Sequence, residues 1–176
     1  FPNSARAEEI DYMRAYAFYK QSPKAELDQT NTLRAIALMQ AFINTHPGSA
    51  RNKEATAIID ELRLKLEVKD AKAAQLYFDM GQFRAAAVAF NNLLSEYPDT
   101  QKGDEYKMMA IRSYFRFAEL SVEEKKAERF EKVIEECNDF VDRFPESGFG
   151  KEVQEYLTQS QNILKTYNNE PAQTST

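Results

Sequence analysis

One short pattern occurs four times along the chain: an aromatic or imidazole side chain, then proline, any residue, and serine or threonine. Proline cannot continue a helix, and a serine or threonine shortly after it favours the start of the next one. A pattern that ends one helix and begins another, repeated at roughly even intervals, predicts an array of helical units. The four copies are Phe1–Ser4, His46–Ser49, Tyr97–Thr100 and Phe144–Ser147.

The residues that precede three of these prolines are also repeated. Apolar side chains occupy the fifth and the eighth positions before the proline, and positions three apart lie on one face of a helix. Each unit is therefore expected to bury the same stripe. The hydroxyl groups that end the pattern, on Ser49, Thr100 and Ser147, are placed to N-cap the following helix. The stripe consists of Phe42, Leu93 and Phe140 at the fifth position and Met39, Phe90 and Cys137 at the eighth.

The stretch around Gly81 carries the fullest copy of the unit. Small side chains at Ala74 and Ala86 allow two helices to approach closely. Gly81 can adopt the positive φ that ends the first helix, and Pro98 ends the second. These spacings resemble the tetratricopeptide repeat, which predicts an all-α fold, a right-handed solenoid of tetratricopeptide-like hairpins with eight or nine helices and no strand. The aromatic side chains expected to fill the space between and beyond the two helices are Tyr77, Phe83 and Phe90.

The repeated pattern divides the chain into units that are longer than a minimal repeat. The first unit, 5–49, contains a polar insertion at 21–31 that is either a partner-contacting segment or a plain solvent loop. The second, 50–100, starts with a stretch over 49–80 that lacks glycine and proline and can form one long helix or two. The other predicted segments are the end of a preceding repeat at 1–4, a repeat at 101–147 with its partner helix at Arg129–Arg143 and its terminator at Pro145, a capping helix at 148–167, and a disordered tail at 168–176.

Composition limits what such an array can bind. The net charge is −5 and the isoelectric point is about 5.1. Phosphate binding needs clusters of lysine and arginine that outnumber the nearby acids, so nucleic acid is not an expected partner. The longest unbroken apolar run, Ala85–Phe90, is far shorter than the roughly 20 residues that span a bilayer. The sequence thus predicts a helical protein without a membrane-spanning segment.

Candidate catalytic groups are few. Cys137 belongs to the buried stripe, which predicts a small hydrophobic side chain and not a nucleophile. His46 stands where the other copies have an aromatic ring, which predicts a packing role, and it lies roughly two units from Cys137, too far to act as its base. Adjacent carboxylates such as Glu135 and Glu136 point in different directions on a helix and are expected to be solvated. The sequence predicts no catalytic residue, no cofactor and no metal site.

Four segments resemble one particular family of repeat proteins. The resemblance is to the BamD (YfiO) family of outer-membrane assembly lipoproteins, in its Bacteroidetes-type form, and it covers about residues 1–165. It implies a non-catalytic protein-interaction scaffold at the periplasmic face of the outer membrane, attached by an N-terminal lipid. The implied partners are the periplasmic domains of a β-barrel insertase and other assembly subunits, with unfolded outer-membrane protein segments as further candidates. The segments are FPNSARAEE, SPKAELDQTNTLRAI, YFDMGQFRAAAVAFNNLLSEYPDT and DRFPESGFGKE.

Two consequences of this resemblance concern what the sequence lacks. The chain opens on the end of a repeat, so it is expected to be a fragment, with the signal peptide, the lipidated cysteine and the first repeat upstream. Ala89 stands where some family members carry a basic residue that faces the barrel protein.

The alternative function is that of another periplasmic tetratricopeptide-repeat adaptor, such as one that coordinates the envelope with cell division.

A partner surface can be predicted from the repeat register. In such repeats the first helix of each pair lines the concave side, where side chains that do not pack against the second helix are free to meet a partner. The alternative is that neighbouring helices bury the two aromatic residues of this set, or that partners use the convex side or the 21–31 insertion. The predicted partner-binding residues are Gln75, Phe78, Asp79, Ile111, Arg112 and Tyr114.

Overall fold

The computed structural model describes residues 5–169 of the chain. Every regular element in this range is an α-helix and none is a strand, which confirms the predicted all-α class. Short connections join successive helices into the hairpins typical of tetratricopeptide-like repeats. The helices are α1 (Ala5–Lys20), α2 (Thr30–Thr45), α3 (Asn52–Asp79), α4 (Phe83–Glu96), α5 (Gly103–Glu119), α6 (Glu123–Arg143) and α7 (Gly150–Asn169).

The seven helices within residues 5–169 are fewer than the eight or nine predicted. The stretch left open over 49–80 forms a single helix, α3, because its 28 residues contain no glycine or proline to interrupt them. Helix α6 begins at Glu123 and not at Arg129, since Glu123 and Glu124 place negative charge where the helix dipole favours it.

The ends of the chain are described only in part. The predicted repeat end at 1–4 lies outside the described residues. Helix α7 continues to Asn169, past the predicted start of the tail at 168, and the rest of that predicted tail also lies outside the described range.

The chain divides into two compact units, Phe1–Lys69 and Asp70–Thr176, of which the structure describes 5–69 and 70–169. In the first unit, α1 and α2 pack on the N-terminal part of α3. The rings of Tyr12 and Phe42 meet edge to face, with 5.4 Å between their centroids. This core buries Tyr12, Ala15, Ala35, Met39, Phe42, Ala55, Ile58, Ile59 and Leu62.

The second unit contains two hydrophobic clusters, built from the C-terminal part of α3 and from α4 to α7. Ala74, Ala86 and Phe90 belong to the first cluster. Phe140 belongs to the second. Phe144, the residue before the third described terminator proline, packs against both clusters, so the two are continuous.

The three described copies of the proline pattern fold into the same turn. In each, the backbone N–H of the serine or threonine donates to the carbonyl of the aromatic or imidazole residue, at 3.0–3.1 Å. The hydroxyl oxygen then accepts a hydrogen bond of 3.1–3.2 Å from the N–H two residues later. The hydroxyls therefore close a turn instead of N-capping a helix, contrary to the prediction, because the turn occupies the residues before the helix begins. The hydroxyl residues are Ser49, Thr100 and Ser147, and the helices that follow begin at Asn52, Gly103 and Gly150.

The insertion predicted at 21–31 is shorter than expected, because α2 begins at Thr30. The buried side chain of Gln29 donates to the carbonyl oxygens of Lys24 and Leu27, at 2.8 and 3.0 Å. From α3, the ammonium group of Lys69 donates to the carbonyl of Leu27 at 2.8 Å. These bonds hold the loop against the first unit. Whether it contacts a partner stays a prediction.

Gly81 ends α3 with a φ of +73°, the only positive φ among the described residues. The N–H of Gln82 donates to the carbonyl of Tyr77, and the N–H of Gly81 donates to that of Phe78, at 2.8 and 2.9 Å. This pair of bonds is a Schellman motif, which requires a left-handed residue at this position.

Replacement of Gly81 by valine is expected to lower the free energy of unfolding by about 1–3 kcal/mol, because a β-branched residue resists this conformation. The cost is conformational, since no atom lies within 4 Å of a Cβ built at residue 81. Gly148→Val is the matched control, because Gly148 has equal space and an ordinary φ. Urea denaturation followed by circular dichroism measures both. Equal midpoints for the two variants would contradict the prediction.

Candidate protein-interaction surface

The C-terminal end of α3 carries three of the six residues predicted to bind a partner. Asp79 is exposed, and its carboxylate accepts a hydrogen bond of 2.8 Å from the half-buried side chain of Gln75. Phe78 is half-buried, and its ring meets that of Phe83 edge to face at 5.3 Å between centroids. This end of α3 therefore presents a polar pair to solvent, while Phe78 contributes to packing.

Exposed apolar side chains lie next to that polar pair. Leu76, Tyr77 and Met80 are 57%, 44% and 62% exposed. The prediction that Tyr77 belongs to the core is wrong, because the buried face of α3 passes through Ala74 and Phe78, which are four residues apart. Apolar side chains around a polar centre are typical of protein-binding surfaces. We call Gln75, Leu76, Tyr77, Asp79 and Met80 the α3-end patch.

The other three predicted residues lie on α5 and point in different directions. Ile111 is fully buried in the cluster shared with α6 and α7, so the prediction that it faces a partner is wrong. Arg112 is half-buried and pairs with α7. Tyr114 is half-buried beside α4 and α6. Ile111 and Tyr114 are three residues apart and lie on neighbouring parts of one face, whereas Arg112 is rotated by about 100° from Ile111 and bonds to α7.

A cleft of about 370 Å³ lies between α5 and α7, and we call it the α5–α7 cleft. At this junction the guanidinium of Arg112 donates two hydrogen bonds to Glu152, at 2.8 and 2.7 Å. The Glu152 carboxylate raises the pKa of Arg112 above its usual range. The rings of Phe115 and Tyr156 meet edge to face at 4.8 Å between centroids. Burial raises the pKa of the Tyr156 hydroxyl, and Glu152 adds to this effect.

The lining of the α5–α7 cleft is acidic. Three carboxylates, on Glu119, Glu152 and Glu155, face one guanidinium, on Arg116. Arg116 bonds to Glu119 at 2.7 Å and Arg112 neutralises Glu152, so the carboxylate of Glu155 leaves the cleft with a net negative charge. A cleft with aromatic walls and negative charge favours a basic or amide-rich partner segment over an acidic one.

A buried ion network links α5 to α6, and the sequence did not indicate it. The ammonium of Lys107 lies 2.6 Å from a carboxylate oxygen of Glu136, and both side chains are 5% exposed. Lys107 also pairs with Asp139, and the second Glu136 oxygen is 2.9 Å from Lys132. The amide of Asn91 in α4 donates to Glu136 at 3.2 Å. The prediction that Glu136 is solvated is therefore wrong, because Lys107 of α5 packs against it and pairs with its carboxylate.

The residues predicted to form the repeat core lie in varied environments. Cys137 is fully buried, and burial raises the pKa of its thiol to about 12, so the thiolate is scarcely populated at neutral pH. Phe83 is half-buried, and Ala89 packs on the first cluster of the second unit. Pro98 and Pro145 are exposed on their turns. The buried members are Met39, Phe42, Ala86, Phe90, Leu93, Cys137 and Phe140.

His46 packs in the first unit against Phe42, with 5.2 Å between ring centroids. Its Nε2 lies 3.1 Å from a carboxylate oxygen of Asp11, and its side chain is 9% exposed. His46 and Cys137 lie in different units.

Residues 5–169 contain no group of three or more histidine, cysteine, aspartate or glutamate side chains that could bind a metal ion. Across this same range, none of the helices is both long and apolar enough to cross a bilayer.

The chain repeats a helical hairpin, a terminator turn and a register of buried positions. These features define a tetratricopeptide-like helical-repeat protein. The family model described as outer membrane lipoprotein, YfiO, matches residues 1–129. The chain therefore belongs to the YfiO family of outer membrane lipoproteins, a non-enzymatic family with a general role in outer-membrane assembly, at the periplasmic face of that membrane. No curated protein matches the chain.

Proposed function

We propose that this protein is a non-catalytic interaction scaffold of the machinery that assembles β-barrel proteins into the outer membrane. Its partners are the periplasmic domains of the β-barrel insertase and other assembly subunits, with unfolded outer-membrane protein segments as additional ligands. The family match over residues 1–129 carries the proposal, because it joins a role in outer-membrane assembly to a fold of helical hairpins.

The surfaces of the second unit support a binding role. The α3-end patch exposes three large apolar side chains around a polar pair, and isolated helical proteins seldom leave such groups together without a partner. The α5–α7 cleft adds an acidic, aromatic-walled groove. Neither has the arrangement of a catalytic centre, which needs a nucleophile or acid within hydrogen-bond reach of an orienting base. Cys137, the one cysteine, is buried with a raised pKa.

Affinity capture from envelope extract of the source bacterium, with the full-length lipoprotein as bait, tests the proposal. We expect the β-barrel insertase and other assembly subunits to co-purify with it. Recovery of cell-division proteins in their place would support the adaptor function and contradict this proposal.

The contact surface can be tested with one double variant. We expect Tyr77→Ala with Asp79→Lys to weaken binding of the purified insertase periplasmic domains by about tenfold, because it removes an exposed aromatic group and reverses a charge in the α3-end patch. Both side chains are exposed, so the thermal midpoint should stay near that of the parent.

Val88→Ala with Asp99→Lys is the matched control, since Val88 and Asp99 are also an exposed apolar and an exposed acidic residue of the second unit. Biolayer interferometry gives both dissociation constants. If the two double variants bind equally well, the α3-end patch is not the contact surface.

A further inference from the structure

A cleft between α4, α5 and α6 is lined mainly by positively charged side chains, although the protein as a whole is acidic. We call it the basic cleft. It encloses about 290 Å³ within the second unit. Four cationic side chains and one carboxylate, that of Glu128, line it, although acids outnumber bases in the whole chain by 28 to 23. The cations are Arg84 of α4 and Lys125, Arg129 and Lys132 of α6.

Helix α6 presents its three cations on one face, since they are separated by four and three residues. That spacing is visible in the sequence. Arg84 comes from the start of α4, and only the packing of the hairpins shows that it joins the same cleft.

The two arginines are the cations most available to a ligand. The guanidinium of Arg129 stacks over the ring of Phe117, 4.0 Å from its centroid, and donates a hydrogen bond to the hydroxyl of Ser121. Arg84 is exposed at the rim. Among the described residues, neither arginine has a carboxylate within salt-bridge distance.

The two lysines are already partly neutralised. Lys125 lies 3.0 Å from Glu128, and Lys132 lies 2.9 Å from both Glu135 and Glu136. Guanidinium groups bind carboxylates through two parallel hydrogen bonds, so a pair of unneutralised arginines favours a carboxylate ligand.

The remaining walls are aromatic. Phe117 and Tyr114 both line the cleft. Burial raises the pKa of the Tyr114 hydroxyl, and the charge of Glu136 adds to this effect, so the group is neutral at physiological pH. These rings offer apolar surface to a ligand side chain. A small anion without an apolar group would leave that surface uncovered.

From this charge and shape we propose that the basic cleft binds an acidic segment of a protein partner, in which a carboxylate side chain lies next to an aromatic one. The carboxylate can meet the two guanidinium groups while the aromatic side chain lies against Tyr114 and Phe117. The inference rests on the proposed function in one respect, that the ligand belongs to a protein.

A phosphate ligand fits the observations less well. Glu128 lies in the lining and opposes any anion, but it opposes a doubly charged phosphate more strongly than a single carboxylate. A free phosphate or a lipid headgroup would also make no use of the two rings. The acidic peptide satisfies both the guanidinium groups and the aromatic walls.

The test uses a dye-labelled peptide in which phenylalanine is flanked by glutamates, with both ends blocked, and fluorescence anisotropy with the purified protein. We expect saturable binding that weakens as salt is raised. Glutamine in place of the glutamates, or alanine in place of the phenylalanine, should each weaken binding by about tenfold.

Two protein variants locate the site. Arg84→Gln with Arg129→Gln is expected to weaken binding by about tenfold or more, whereas Lys102→Gln with Lys151→Gln removes the same charge from exposed residues outside the cleft and should leave affinity unchanged. Circular dichroism checks that both double variants keep the helical content of the parent. Chemical-shift changes at Tyr114 and Phe117 on peptide addition should mark the cleft directly.

Three outcomes would overturn the inference: no peptide binding, equal binding by the two double variants, or tighter binding of inorganic phosphate or of vesicles containing phosphatidylglycerol than of the peptide. Because the assay contains no assembly subunit, its outcome is independent of the capture experiment. Peptide binding without insertase capture would contradict only the proposed function. Insertase capture without peptide binding would contradict only this inference.

Discussion

Replacement of Lys107 by methionine is expected to lower the free energy of unfolding by about 3 kcal/mol. The substitution keeps the length of the side chain but leaves the Glu136 carboxylate, 5% exposed, without its closest cation. Breaking one side of a buried ion pair typically costs about 3–5 kcal/mol, and the lower value applies because Lys132 still contacts Glu136. Chemical denaturation followed by circular dichroism measures the loss.

A second variant separates a lost ion pair from lost packing. Lys107→Met combined with Glu136→Leu replaces both charges by apolar groups, and removal of a whole buried pair is often nearly neutral. We expect the double variant to recover most of the stability that the single variant loses. A double variant as unstable as Lys107→Met alone would show that the charge of Glu136 is not the cause.

The same network predicts a pH dependence. Burial would raise the pKa of Glu136, but hydrogen bonds from Lys107 and Lys132 outweigh this effect and hold it below the ordinary value of 4.5. The pKa of Asp139 likewise lies below 3.8, since Lys107 and Arg143 outweigh its burial. Groups with a lowered folded-state pKa stabilise the protein above their unfolded pKa, and that contribution is lost as the pH falls through the folded value. The denaturant concentration at the unfolding midpoint of the parent should therefore decrease as the pH is lowered below about 4.5. Lys107→Met should make this decrease smaller, because it removes the cation that lowers both pKa values.

The repeat register could be predicted because it depends on neighbours in sequence. Phe42, Leu93 and Phe140 are buried at the fifth position before their prolines, where the local helix alone decides which face carries them. The same counting does not predict the surroundings of α5, because residues of both α6 and α7 pack in the cluster that contains Ile111. Those tertiary contacts bury Ile111 fully, although the register alone predicts that it faces a partner.

The charged features could not be predicted for a different reason. The partners of Lys107 lie 29 or more positions away on α6, so nothing local distinguishes this lysine from a solvated one. Arg84 joins the basic cleft only through the packing of α4 against the next hairpin. Charge patterns on single helices indicate which faces are polar, but tertiary contact decides which polar groups are buried.

Helix α5 separates two clefts of opposite sign. The basic cleft carries four cations and one carboxylate, and the α5–α7 cleft carries three carboxylates and one guanidinium. Complementary charge speeds association and rejects wrong partners more than it adds affinity. Two clefts of opposite sign can therefore select two different segments of one partner, or two partners, and set their orientation on the second unit.

The core stripe gives the largest expected loss of stability. Replacement of Phe140 by alanine should lower the free energy of unfolding by about 3–5 kcal/mol, as lost transfer energy together with a cavity. Phe140 is fully buried in the second cluster, and its ring lies 5.4 Å from that of Phe144, which joins the two clusters of the unit. A cavity at this point therefore weakens packing in both.

Val141→Ala provides the matched control for that substitution, because Val141 is the next residue of the same helix and is 47% exposed. Its truncation should cost well under 1 kcal/mol, since little apolar area returns to water. Phe42→Ala, at the equivalent repeat position in the first unit, should match the loss at Phe140, because Phe42 is 2% exposed and contacts Tyr12 edge to face. Guanidinium denaturation of the three variants gives the comparison. If Phe140→Ala and Val141→Ala unfolded at the same midpoint, the buried stripe five residues before each proline would not be what holds the repeats together.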